Sequence, residues 1–102
     1  MMAEATIDAQ GYAGADLLTL ALSRPNLALR VALECLDADP DAATASIAHQ
    51  AVAVVLRDQE RFGEAEGHFR AALRLARRAG EPDRVTDIDT SYAAALLLAG
   101  AT

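Results

Sequence analysis

The residues able to do chemistry are few and far apart. The chain has one cysteine, Cys35, and two histidines, His49 and His68. A thiol nucleophile needs its base within hydrogen-bond reach. Cys35 falls at a small-residue position of an apolar helical stripe, so burial is expected rather than a Cys–His dyad. No catalytic residue is assigned. His49 and His68 fall on consecutive helices with no second cysteine and no Glu-x-x-His set beside them. No metal ligand is assigned, no pattern asks for a cofactor, and His68 is expected on an outer face. Arg70, Arg74, Arg77 and Arg78 recur at helical spacing. Glu66 stands four residues before Arg70, and late arginines suit a helix C-terminus, so a solvated face explains them. The sharper alternative is a docking face for an acidic partner or a downstream domain.

The bulk numbers bound the elements that carry these residues. The chain has 102 residues, enough for one ordinary domain. Its apolar fraction is 53%, much of it alanine, with two Phe, two Tyr and no Trp. Small side chains bury little area each, so such a core needs close helix–helix approach. The formal charge is −6, and all nine basic residues are Arg. That balance argues against nonspecific nucleic-acid binding, which needs a basic surface. A lone cysteine excludes an internal disulfide. "MMAEATIDAQG" has neither the basic nor the apolar part of a signal peptide. "YAAALLLAGA", residues 92–101, is half of the roughly 20 residues that a membrane span requires. A soluble cytoplasmic protein is expected.

No segment alternates in the manner of a strand, and Ala, Leu, Arg and Glu favour helix. Breakers divide the chain into five helical pieces. Residues 1–8 are expected to be flexible. A first helix runs from Asp8 or Tyr12 to Leu22, and "SRPN" then turns the chain, with Ser23 as cap and Pro25 in the next first turn. The second helix covers Pro25 to Leu36. Asp39 or Asp41 caps a third that continues to Glu60. "RFG" leads into a fourth, Glu64 to Ala79, and Gly80 fits the left-handed position past its end. The fifth runs from Pro82 to Leu98. Short turns make these helices antiparallel neighbours.

The pieces repeat. The fourth helix reads Ala65-x3-Phe69-x2-Ala72-Leu73, and the second reads Ala28-x3-Ala32-x2-Cys35-Leu36, followed by Asp39-Pro40. Each set lies on one helix face. Val52, Ala53 and Leu56 supply the facing set for Phe62, Ala65 and Phe69. This resembles the tetratricopeptide repeat, a helical hairpin with Ala-x3-Phe and a closing Pro. The central hairpin, Ser46 to Arg78, carries the pattern best. The fifth helix is similar to the first half of a third hairpin, with Tyr92, Ala93, Leu96 and Gly100 in register. His49 replaces the family's early aromatic, and the central repeat lacks the closing Pro. The resemblance implies an all-α fold, with antiparallel hairpins stacked as a short α-solenoid over residues 9–102, about two and a half repeats. In such a crossing Ala65 and Ala72 are small because the helices approach closely. Phe69 fills the gap between hairpins, and Leu at Ala65 would overpack.

The run from "LSRPNLAL" to "FRAALRLARRAG" also resembles the N-terminal repeat region of actinobacterial CHAT-domain proteins, where such repeats precede a caspase-like protease domain. No protease activity carries over to this chain, which lacks that domain's residues.

The resemblance implies a noncatalytic protein-binding module. The first helix of each hairpin would line a concave groove that takes a peptide or helix. Register places Gln50, Val54, Arg57 and Asp58 there, with Asp87, Thr90 and Ala94 from the fifth helix and Leu17 and Leu20 from the first. The Lys/Asn set of carboxylate-clamp repeats has no counterpart, since Gln50 and Val54 stand at two of its places. Arg57 would anchor the ligand. Two alternatives follow: the regulatory front end of a CHAT-type protease, or a helical scaffold that self-associates. Leu97 and Leu98, with Ala94, would meet a sixth helix that the sequence lacks, so the fifth helix is itself a cap with part of its face exposed, or two chains pair through it as a homodimer, or the chain is a piece of a longer protein.

Overall fold

The computed structural model describes residues 6–7 and 12–100, with side chains from 16 to 100. Five helices follow a small antiparallel pair of extended segments. These are β1 (Thr6–Ile7), β2 (Tyr12–Ala13), α1 (Gly14–Ser23), α2 (Pro25–Asp37), α3 (Ala42–Asp58), α4 (Phe62–Arg78) and α5 (Pro82–Gly100). In the pair, Thr6 faces Ala13 and Ile7 faces Tyr12. The expected helix start at Asp8 or Tyr12 is therefore corrected to Gly14. Thr, Ile and Tyr favour extended backbone, and glycine propagates a helix poorly. The rest of the expected flexible segment, residues 1–5 and 8, lies outside the described residues.

The helix boundaries follow local chemistry. Pro25 and Pro82 open α2 and α5, where a missing N–H costs nothing. Asp41 caps α3 by accepting the Thr44 N–H at 2.8 Å. Ser23 does not cap α2. It closes α1, its hydroxyl donating to the Thr19 carbonyl at 3.1 Å, and Arg24 stands at the cap without a side-chain bond. α4 starts at Phe62, two residues before the expected Glu64. α5 extends to Gly100.

The helix exits repeat more regularly than the helices do. Asp39, Glu60 and Gly80 follow the ends of α2, α3 and α4 with φ of 56°, 64° and 71°. After α3, the Arg61 N–H reaches back to the Leu56 carbonyl at 2.9 Å, and after α4 the Glu81 N–H reaches the Ala76 carbonyl at 3.1 Å. Both are the six-to-one bonds of a left-handed helix exit. Pro40 has no N–H to make that bond after α2.

Each helix packs on its neighbours in sequence, and α3 also meets α1 and, lightly, α5. The molecule measures 47 × 28 × 19 Å. The smallest extent is close to two helix diameters of about 10 Å, which means two layers. α3 lies at the centre, with every residue from Ala51 to Leu56 buried. A helix apolar nearly all round needs neighbours nearly all round.

Alanine sets the α3–α4 spacing. Ala48, Ala51, Ala65 and Ala72 are fully buried, and the Ser46 hydroxyl donates across the contact to the Ala72 carbonyl at 3.0 Å. Phe69, also fully buried, stacks on Tyr92 of α5 with ring centroids 5.3 Å apart. The Tyr92 hydroxyl donates to Glu66 at 2.8 Å, and Arg70 donates to the same carboxylate oxygen at 2.9 Å. Those hydrogen bonds and the Arg70 charge hold the Glu66 carboxyl below the usual range. Cys35 is buried in the core, as its stripe position predicts.

Candidate binding cleft

α1, α3 and α5 share one side of the molecule, and a cleft of about 280 Å³ opens between them. Its apolar wall is Leu18 and Leu22 of α1 with Val54 of α3. Its polar part is Gln50 and Arg57 of α3 with Asp87 and Ser91 of α5. The volume lies just under the range of about 300–1,000 Å³ typical of drug-sized ligand pockets. Leu22 is 66% exposed, an apolar rim left to solvent.

The polar part is already wired. Gln50 is 2% exposed, and both its amide nitrogen and its carbonyl oxygen are hydrogen-bonded. Its Nε2 donates to Asp87 Oδ2 at 3.1 Å and to Ser91 Oγ at 3.3 Å, and its Oε1 accepts from Arg84 Nη2 at 2.6 Å. Arg84 also donates to Asp87 at 3.2 Å. A buried amide in mid-helix is costly unless paired. Here it ties α3 to α5 where the two helices barely touch. Burial pushes the Arg84 guanidinium below its usual range, with the Asp87 charge and hydrogen bond opposing. Its Nε is buried with no partner among the described residues.

Of the residues expected in the groove, Gln50, Val54, Arg57 and Asp87 line this cleft together. Arg57 does so while donating through Nε to Asp58 at 3.1 Å, and its side chain is only 14% exposed. It is braced in place, not extended as an anchor. Asp58 lies instead on a neighbouring depression with Glu60, Phe62 and Leu98. Thr90 is exposed, its hydroxyl turned back to the Thr86 carbonyl at 3.0 Å, and Ala94 is half-buried away from the cleft. Leu17 is fully buried and Leu20 packs on the core, so neither lines it. The lining comes from Leu18, Leu22 and Ser91 in their stead. One residue turns a helix face by about 100°, so a small error in phase moves the whole stripe. The polar positions Arg84, Asp87 and Ser91, at i, i+3 and i+7, carried the signal for α5.

Leu97 and Leu98 are 74% and 51% exposed, and Leu96 beside them is 55% exposed. His68 departs from expectation. It is half-buried against His49, with the two Nδ1 atoms 3.0 Å apart. Both pairs that bridge α3 and α4, His49–His68 and Ser46–Ala72, straddle Gln59 almost evenly. That symmetry is legible once the helices are known to run antiparallel about the turn. Arg74, Arg77 and Arg78 are exposed, whereas Arg70 is engaged with Glu66.

No helix among the described residues is long and apolar enough to cross a membrane. Comparison with protein-family models, with curated proteins and with solved structures found no match.

Proposed function

We propose that this chain is a noncatalytic protein-binding module of tetratricopeptide-repeat type. Two and a half helical hairpins stack as a short α-solenoid and take a peptide or helix in the cleft of the odd-numbered helices. The observation that carries this reading is the cleft itself. One helix from each successive hairpin reaches it, and it joins an exposed leucine rim to a fixed polar row. A ligand would lay apolar side chains against Leu18, Leu22 and Val54 and meet polar groups held by Gln50 and Asp87. Prepaid ordering of that row lowers the entropic cost of binding.

The test is selection from a displayed random-peptide library, followed by titration calorimetry of the enriched sequences. Leu22→Glu and Arg57→Glu should each weaken binding at least tenfold while leaving the circular dichroism spectrum unchanged. Enriched peptides that bind both variants as well as the parent would place the ligand elsewhere, and failure to enrich any peptide would sink the groove reading.

A second reading has its own observation, the exposed run Leu96–Leu98 on α5. An apolar patch of this kind favours self-association. Light scattering across a concentration series decides it: a dimer that disperses on Leu97→Glu supports it, and a monomer throughout removes it.

A further inference from the structure

His49 and His68 meet across the α3–α4 contact with Nδ1 atoms 3.0 Å apart, ring centroids 5.2 Å apart and planes inclined by 34°. The centroid separation exceeds the N···N distance by about two ring radii, so the two nitrogens point at each other. A cation between them, with bonds of about 2.0 Å on each side, would need the nitrogens about 4 Å apart on this line. The gap accepts a proton. One ring must then donate N–H and the other must accept on a bare nitrogen.

We propose that the His49–His68 pair is a one-proton latch between α3 and α4, closed when it carries none or one of its two titrating protons and open when it carries both. In the neutral pair His68 Nδ1–H donates to His49 Nδ1, whose ring keeps its proton on Nε2. The first added proton goes to His68 Nε2. His68 becomes an imidazolium, and the hydrogen bond gains charge assistance. The second can go only to His49 Nδ1. That removes the acceptor and sets two N–H groups and two cations against each other, so the contact must part.

The surroundings order these steps. Glu64, one turn before His68 on α4, favours the cation on His68, and it is itself paired with Arg61. Arg74 of α4 and the charged His68 disfavour a cation on His49. On α2, which also packs on α3, Arg30 and Glu34 are exposed and pair with each other at 3.8 Å. Half-burial is the largest influence on each ring and holds both below the ordinary imidazole value. With folded values depressed, the unfolded chain binds protons that the folded chain refuses. Stability is then full above the ordinary value of about 6.5 and falls as pH drops from there toward the depressed folded values.

The latch rests on ring geometry, with the charges of Glu64 and Arg74 ordering its steps, and it stands or falls independently of the cleft. Long-range proton–nitrogen NMR of the wild-type rings, from about pH 8 to pH 4, reads it directly. We expect a single Nδ1–H tautomer on His68 at high pH. Two separate steps should follow, the second on His49, coinciding with faster amide exchange in α3 and α4. Two rings titrating independently near the ordinary value, with exchange unchanged, would overturn the proposal. In parallel, the wild-type melting midpoint should fall by about 5 °C or more between about pH 7.5 and pH 5.5, and the fall should be smaller in His68→Gln, which keeps only the burial of His49. An equal fall in a folded His68→Gln would also overturn it. Should that variant fail to fold, the wild-type titration decides alone.

Discussion

α3 and α5 carry almost the same kind of segment and treat it in opposite ways. "AVAVVL", residues 51–56 of α3, is buried throughout. "AAALLLA", residues 93–99 of α5, buries only Ala95 and leaves three consecutive leucines exposed. Apolar character does not separate the two. Position in the stack does: α3 has α1, α2 and α4 around it, whereas α5 has α4 on one side and a grazing contact with α3. An apolar helical segment is therefore core or surface according to how many neighbours the architecture supplies. Where those neighbours run out, the same residue types stay exposed.

The same substitution made in each helix should have unequal consequences. Leu56→Ala on α3 removes a side chain that is 5% exposed and leaves a cavity, which should cost about 2–5 kcal/mol. Leu97→Ala on α5 removes one that is 74% exposed and should change stability by no more than about 0.5 kcal/mol. Urea unfolding at low protein concentration measures both. If Leu97→Ala destabilised as much as Leu56→Ala, the end of α5 would be covered in solution, and the contrast would be false for the protein as it exists.

The two helices also begin differently. α3 opens on Asp41, whose carboxylate accepts the Thr44 N–H, and α5 opens on Pro82. Asp41→Ala should cost about 1 kcal/mol near neutral pH. The hydrogen bonds from Thr44 hold the Asp41 carboxyl below its usual range. A carboxyl with a lowered folded value contributes stability above its unfolded value of about 3.9 and loses it as pH falls through the folded one. The difference between parent and variant should therefore close in strong acid. It should be flat across the range near pH 6 where the histidine pair acts. A gap that widened on acidification would mean that the cap is not the source.

What was legible in the sequence tracks what local chemistry decides. Pro25, Asp41, Gly80 and Pro82 mark helix ends because their backbone or side-chain limits act within one turn. Ala65, Phe69 and Ala72 fall on the buried face because a period of 3.6 allows no other common face. The extended pair Thr6–Ile7 and Tyr12–Ala13 was not legible, since two residues on each side are too short to show alternation. In the cleft, Gln50, Val54 and Arg57 of α3 fall where the periodicity expects them, because Val52 and Leu56 fix the helix rotation from within the hairpin, whereas Asp58 turns to the neighbouring depression. On α5 Asp87 falls as expected, but Leu18 and Leu22 of α1 and Ser91 of α5 line the cleft where Leu17, Leu20 and Thr90 are expected, because one residue of phase turns a helix face by about 100°. His68 was misplaced for a related reason: its partner lies nineteen residues away, and only the antiparallel register brings the two rings together.

The smallest effect sharpens the comparison at the helix exits. Glu60 ends α3 and Gly80 ends α4 in the same left-handed conformation, with the same reach-back hydrogen bond. A side chain at positive φ costs about 1–2 kcal/mol relative to the right-handed region. Glycine escapes that cost but loses about 0.5–1 kcal/mol more in chain entropy on folding. Glu60→Gly should thus stabilise the protein by about 0.5 kcal/mol. Gly80→Ala should destabilise it by a similar amount, and for conformational reasons only, because an added Cβ would meet nothing within 4 Å. Paired thermal melts would resolve the opposite signs. Destabilisation by Glu60→Gly would mean that the Glu60 side chain contributes more to the α3–α4 turn than its backbone conformation costs.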